Sequence, residues 1–290
     1  MIRIMADAAA DIPASIAKEW GIEILPFMVH LGETSICADV DLAPETYYQK
    51  LRESDAFPST SQMSPAELEN RYRKLGKDGD SILHITISAN GSGIHNTSCM
   101  VAQQLNAEGF DITVIDSTMF SYVIGKPVIE AAKMAKEGKS KEEIIAYLTE
   151  VYHRDTAYFV VDDLTFLKKG GRIKATTMAI GTMLDIKPIL NINGGLVEAY
   201  RKVRGLKKAM SVLADYVEER MDDPENNEII ILHSDAMDKV EILKQMIENR
   251  VRPASISVGK IGPIITSHAG LGVVGLFFKH KKPYEEYETK

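Results

Sequence analysis

The chain has 290 residues, of which 45% are hydrophobic and 26% charged. That is room for two domains and a substantial core, and it excludes disordered and collagen-like classes. A formal net charge of −7 excludes a general nucleic-acid binder, because the sequence-independent part of that affinity comes from Lys and Arg displacing counterions at phosphates.

In chain order, Ile2–Met5 is predicted as a strand running into Asp7–Pro13, and Ala14–Trp20 as a short helix stopped by Gly21. Ile24–Leu31 and Thr34–Val40, joined through Gly32 and Glu33, have the pattern of a β-ribbon. Helices follow at Pro44–Ser54 and Pro65–Leu75, the second opened by Ser64 and Pro65 with Glu67 nearby. Ser81–Ile87 predicts a buried strand that empties into Asn90-Gly91-Ser92-Gly93 and then a helix over Ile94–Leu105. Asp111–Ile115 is the next strand, and two helices cover most of Val123–Val151. Short connections in a β-α-β-α order imply a parallel sheet with helices on its faces.

The pattern changes after about Asp155. A strand at Ala157–Val161 is followed by a basic loop, Lys168–Arg172, and a helix over Thr176–Leu184. Ile189–Ile192 and Leu196–Arg201 flank Asn193-Gly194-Gly195, which signals a hairpin and so a mixed sheet. Helix Leu206–Met221, strand Glu228–His233, helix Met237–Arg250, strand Ser255–Lys260 and a glycine-rich segment complete the chain. The expectation is a two-domain α/β protein, 1–155 with a largely parallel sheet and 156–290 with a mixed one.

Cys37 and Cys99 are too few for a disulfide framework, and no secretory-type apolar region opens the chain, so a cytoplasmic protein is expected. The longest apolar run, Gly270–Phe278, is well short of the roughly 20 residues that span a bilayer, so no stable membrane insertion is expected. Gly270, Gly272 and Gly275 have the GxGxxG spacing, but the remaining chain is too short for the helix, strand and ribose-binding acid of a dinucleotide site. Gly138-Lys139-Ser140 has Lys133 where a phosphate-binding loop needs glycine. The histidines form no HxxxH pair and no cluster with cysteine, so no metal site is expected.

Four places survive as candidates, each at a strand end or in a glycine-rich turn, where open α/β sheets present their ligand loops. Pro58–Gln62 packs three hydroxyls and an amide before a helix, and is equally an N-cap cluster. Ser92 lies between two glycines ahead of a helix, where its hydroxyl and backbone N–H groups suit a carboxylate or phosphate. His268 stands at the junction of Ile264–Ser267 and the glycine-rich run, and Lys168–Arg172 combines basic residues with a double glycine.

Taken in order, these segments resemble the DegV family along nearly the whole chain. Asp7–Pro13 is similar to its opening D-S-x-A-D-L-P, Pro58–Pro65 to its T-S-Q-P-S-P loop and Ile87–Gly93 to its I-S-S-G-L-S-G turn. Val114–Ser117, Leu167–Ile173, Lys187–Leu190 and His268 with its following glycines match further motifs. Ala8, Asn90-Gly91 and Val123 depart from the pattern.

The resemblance implies a lipid-binding protein, not itself an enzyme and without a cofactor, that holds one long-chain fatty acid in a buried tunnel. It assigns Thr60 or Ser61, Ser92 with Gly93, and His268 to the carboxylate. It also implies a separate fatty acid kinase subunit, which alone uses ATP to phosphorylate the acyl carboxylate for phospholipid synthesis, with Arg172 at the docking position. Burial favours a protonated carboxyl, whereas Ser92 and a cationic His268 would favour the anion. Two rival readings use the same residues: a serine-dependent lipid hydrolase or acyltransferase on Ser92 and His268, without an evident carboxylate orienter or GxSxG elbow, and a binding module for another small amphiphile or anion.

Overall fold

The computed structural model describes residues 1–39, 42–178 and 186–287. The chain divides into two compact units, Met1–Val151 with Gly262–Ser267, and Tyr152–Ile261 with His268–Lys290. The division falls at 151/152, with a short return of the chain to the first unit. Contacts made far along the sequence cause that return: the Tyr47 hydroxyl and Ser267 Oγ lie 2.6 Å apart in a buried hydrogen bond, and Gly262 packs against the Asp11 carboxyl so closely that a Cβ there has no room.

In the first unit the elements are β1 (Ile2–Asp7), α1 (Ala14–Trp20), β2 (Glu23–Leu25), β3 (Phe27–Leu31), β4 (Thr34–Ala38), α2 (Pro44–Glu53) and β5 (Ser59–Ser61). They continue with α3 (Pro65–Gly76), β6 (Ser81–Thr86), α4 (Ile94–Ala107), β7 (Asp111–Asp116), α5 (Tyr122–Lys136) and α6 (Lys141–Arg154), whose last turn passes the division. Strands β2, β1, β6 and β7 form an all-parallel sheet in that order. Its central strands bury consecutive residues, Ile4, Met5 and Ala6 in β1 and Ile82, Leu83, His84 and Ile85 in β6, as expected where helices cover both faces. The chain steps from β1 outward to β2 on one side and from β6 outward to β7 on the other, so the order reverses between β1 and β6. That reversal is where an open parallel sheet leaves a crevice beyond its strand ends.

The expected ribbon is split. Glu23–Leu25 joins the parallel sheet, while β3 and β4 pair antiparallel through Gly32 in left-handed backbone and take β5 on the other edge. Pro58–Gln62 was expected as a loop, yet its centre is a strand because the backbone of Ser59–Ser61 pairs with His30–Met28. Val40, the last residue of the expected ribbon, lies outside the described residues. The start of α3 forms the predicted capping box: Ser64 Oγ accepts from the Glu67 N–H (3.3 Å) and Glu67 Oε2 accepts from the Ser64 N–H (3.1 Å).

The second unit contains β8 (Ala157–Val160), α7 (Thr165–Gly170), α8 (Ala175–Met178), β9 (Ile186–Asn193), β10 (Leu196–Arg204), α9 (Leu206–Arg220) and β11 (Glu228–His233). It ends with α10 (Met237–Glu248), β12 (Ser255–Lys260), α11 (Pro263–Ala269), in which the division falls, and β13 (Val274–Phe278). Its sheet is mixed, ordered β10-β9-β8-β13-β11-β12, and among the described residues β11 and β12 pair parallel while its other neighbouring strands pair antiparallel. Gly194 and Gly195 both have positive φ, as a two-residue hairpin turn between β9 and β10 requires. The glycine-rich final segment becomes β13, a fully buried strand between β8 and β11. The core of this unit joins Tyr158, Ile189, Leu213, Val217, Ile231 and Leu276 under α9 and α10. The basic loop Lys168–Arg172 is mostly the end of α7, closed by Gly171 in left-handed backbone. Residues 179–184 of the helix expected over Thr176–Leu184 lie outside the described residues.

Candidate functional site

In the first unit the segments beyond β1, β6 and β7 are tied together by acidic side chains. Asp7 Oδ2 accepts the Ile87 N–H at 2.7 Å, and Oδ1 lies 3.2 Å from His84 Nε2, whose Nδ1 is 2.6 Å from the Tyr72 hydroxyl. Asp116 Oδ1 accepts both the Ala89 N–H (3.1 Å) and the Thr118 N–H (2.8 Å), joining the turn after β6 to the turn after β7. Gly91 closes this packing, since a Cβ there would collide with the ring of Phe120. The turn is thus fixed before α4 begins.

Ser92 is half-buried at that point, its Oγ 3.4 Å from the Ile94 N–H, and Gly93 caps α4 without a side-chain hydrogen bond of its own. The first-turn N–H groups of this 14-residue helix carry the positive end of its dipole. Gln62 reaches the same place. Its Nε2 donates to Thr97 Oγ1 at 2.8 Å, and a Cβ on Gly93 would stand 3.3 Å from its Oε1. The structure therefore brings Pro58–Gln62 and Asn90–Gly93 together.

Neighbouring strand residues face opposite ways, which separates Thr60 from Ser61. Thr60 is half-buried and pairs with Val29, on the face that buries Phe27, Val29 and Leu31. Ser61 is exposed, its Oγ 2.8 Å from His30 Nε2, while His30 Nδ1 is 2.8 Å from Ser35 Oγ.

Asp11 adopts left-handed backbone (φ 52°) and accepts a hydrogen bond from Ser121, itself at φ 60°. Burial raises its pKa to about 7, against the lowering effect of the Ser121 hydroxyl and the Gly262 backbone.

In the second unit His268 is the penultimate residue of α11. Its imidazole lies against the bare α-carbon of Gly170, where a Cβ would be 2.8 Å from Nδ1. Arg172 is half-buried, folds its Nη1 back onto the Gly170 carbonyl, and offers its own carbonyl to the Val197 N–H at 3.0 Å. Burial, and secondarily the Arg172 charge, push the His268 pKa down to about 4. The cationic His268 considered from sequence is thus replaced by a neutral imidazole at neutral pH, because both surroundings disfavour the proton.

The GxGxxG glycines serve close packing. A Cβ on Gly270 would strike Phe166, on Gly272 Asp162, and on Gly275 Phe159. With His268 on Gly170, these contacts run antiparallel along β8–α7 and the turn before β13. Among the described residues there is no group of three or more His, Cys, Asp or Glu arranged for a metal ion, and no helix long and apolar enough to cross a membrane.

The family model described as "Uncharacterised protein, DegV family" matches residues 1–281. The chain belongs to the DegV family. A DegV domain-containing protein of Clostridium perfringens is 35% identical over 280 residues, which are 95% of this chain and 96% of that protein. This DegV-family chain is also similar to two solved structures. One is a DegV family protein from Thermus thermophilus described by its fatty acid binding, with a TM-score of 0.87, 30% identity, and 96% and 99% of the two chains covered. The other is DegV of Bacillus subtilis, described as a fatty acid binding protein, with a TM-score of 0.85, 26% identity, and 97% and 99% covered. The α/β architecture with one parallel and one mixed sheet is that of these DegV structures.

The acids that fix the loops beyond the parallel strands carry no role in the sequence reading: Asp7 and Asp116 hold backbone N–H groups and Asp11 the Ser121 hydroxyl. Asp7, Asp11 and Asp116 each stand at or just past the carboxyl end of a parallel strand, and that position is the signal that could have found them.

Proposed function

We propose that this protein binds one long-chain fatty acid, buries its alkyl chain, and holds the carboxylate with Thr60, Ser92, the backbone at Gly93 and the imidazole of His268. The observation that carries this is the likeness, over more than nine-tenths of both chains, to DegV structures named for fatty acid binding. Burying a methylene contributes about 0.8 kcal/mol, so some fifteen supply roughly 12 kcal/mol before entropic costs. A hydrogen bond to the charged head group adds only about 1.5–3 kcal/mol. The tail dominates affinity and the head-group contacts fix orientation. The amino end of α4 and a neutral imidazole N–H suit that second task, since both donate to an anion without adding a formal charge.

Of the two hydroxyls Thr60 and Ser61, the register favours Thr60, which shares the buried face of β3. The loaded protein is then presented to a separate kinase that uses ATP to convert the carboxylate into an acyl phosphate, with Arg172 at the docking surface. The supporting observation is the match of Leu167–Ile173 to the family motif.

Mass spectrometry of what organic solvent extracts from the purified protein tests the ligand. A stoichiometric fatty acid is expected, and a bound anion or no lipid would refute the reading. Ser92→Ala and His268→Ala test the head-group contacts, each expected to weaken binding by roughly tenfold with the fold intact. Arg172→Ala should slow turnover by the cognate kinase far more than it changes lipid affinity; undiminished coupling would remove it from the docking surface.

A further inference from the structure

The turn that follows His268 is gripped by two buried polar residues. Gly270 and Gly272 both have left-handed backbone, with φ of +80° and +83°. Ser234, fully buried, donates its hydroxyl to the Gly270 carbonyl at 2.8 Å and accepts the Val273 N–H at 3.1 Å. Lys239, in the first turn of α10 and only 7% exposed, donates Nζ to the Gly272 carbonyl at 2.8 Å and to Asp162 Oδ1 at 2.7 Å.

Withdrawing an ammonium from water is unfavourable, and a methionine of similar length would fill the same space without that penalty. What methionine lacks is the pair of bonds. One runs to the Gly272 carbonyl, three residues beyond Ala269. The other runs to Asp162, the residue against which Gly272 packs. On the other side of the turn Phe166 meets Gly270 and Gly170 meets His268. These paired contacts form a continuous run from Gly272 to the imidazole.

We infer that Lys239 is a positioning residue for His268: clamped between Asp162 and the Gly272 carbonyl, it sets where the imidazole stands against Gly170. The inference rests on the reading of His268 as a carboxylate contact. It adds a residue that touches no ligand and that no motif marks.

The test uses the full chain, labelled with 15N-histidine, in the wild type, Lys239→Met and Asp162→Asn. Two readouts are taken: the His268 ring resonances, and the affinities for a saturated fatty acid and for the fatty alcohol of the same length. The His268 resonances should move in both variants, and Lys239→Met should weaken fatty acid binding about five- to tenfold while changing alcohol binding less than about twofold. A general packing defect would weaken both ligands equally. Unmoved resonances with an unchanged acid-to-alcohol ratio in folded Lys239→Met would overturn the inference. Should that variant fail to fold, Asp162→Asn, which keeps the lysine and its packing, decides by the same criteria. If the wild type binds neither amphiphile, the fatty-acid reading falls, and the resonances alone decide whether Lys239 places the imidazole.

Discussion

The imidazole of His268 rests on the bare α-carbon of Gly170, close enough that a methyl group there would stand 2.8 Å from Nδ1. Gly170 is the last residue within α7 and has no positive φ, so Gly170→Ala meets no backbone strain and gains in helix propensity. The whole cost falls on the ring. Overpacking of about 1–3 kcal/mol should be relieved by moving His268, so the thermal midpoint changes little while fatty acid affinity drops about tenfold. Titration with a fluorescent fatty acid beside a thermal melt checks both, and unaltered affinity would detach His268 from the ligand.

His268 also predicts an acid response. Its pKa falls from 6.5 in the unfolded chain to about 4 in the folded protein. The unfolded state therefore takes up the proton first on acidification. The contribution is fully present above pH 6.5 and is lost as the pH falls toward 4, amounting to about 3 kcal/mol. Arg172→Ala removes the second cause of the depression, so the NMR titration midpoint of His268 should rise toward 6.5. A midpoint that stays or falls would contradict the placement of that guanidinium.

Asp11 works in the opposite direction. Its folded-state pKa is raised to about 7 from 3.8, so its contribution to stability is fully present below pH 3.8 and is lost as the pH rises through 7. Asn mimics the protonated acid and tolerates the left-handed backbone at this position. Asp11→Asn should therefore exceed the wild type by roughly 3–4 kcal/mol at pH 8, with the difference closing toward pH 4. Urea denaturation at the two pH values measures this, and a pH-independent difference would rule it out.

Thr60 and Ser61 should separate cleanly. Thr60→Val keeps the shape on the buried face and removes the hydroxyl, so fatty acid affinity should fall about tenfold. Ser61→Ala loses a surface hydrogen bond to His30 and should bind as the wild type does. Equal or inverted effects would show that the register does not choose between them.

Much of this was legible in the sequence for definable reasons. Ile2–Met5 stands out by its apolar residues around Arg3 and Ser81–Ile87 by the alternation of a buried strand, and Ser64 with Glu67 marks a helix start by its capping chemistry. Strand β5 was hidden, because Ser59-Thr60-Ser61 carries no apolar alternation and exists through backbone pairing with β3. The return of Gly262–Ser267 to the first unit was equally invisible, since it depends on Tyr47 and Asp11, far away in sequence. At the candidate site, residue types at strand ends singled out Ser92 and His268. The protonation state of His268 was not readable, because it is set by burial and by Arg172 rather than by its neighbours in the chain.

The antiparallel pairing of β8 with β13 sets Phe159 directly opposite Gly275, and a Cβ at 275 would sit 2.5 Å from that of Phe159. The obstacle is not the phenyl ring but the Cβ that every residue except glycine carries, with the Tyr158 carbonyl behind it at 3.1 Å. No exchange of side-chain size at 159 therefore makes room at 275: the backbone of one strand dictates the residue on its neighbour, and this point of the sheet can change only if the two strands move apart.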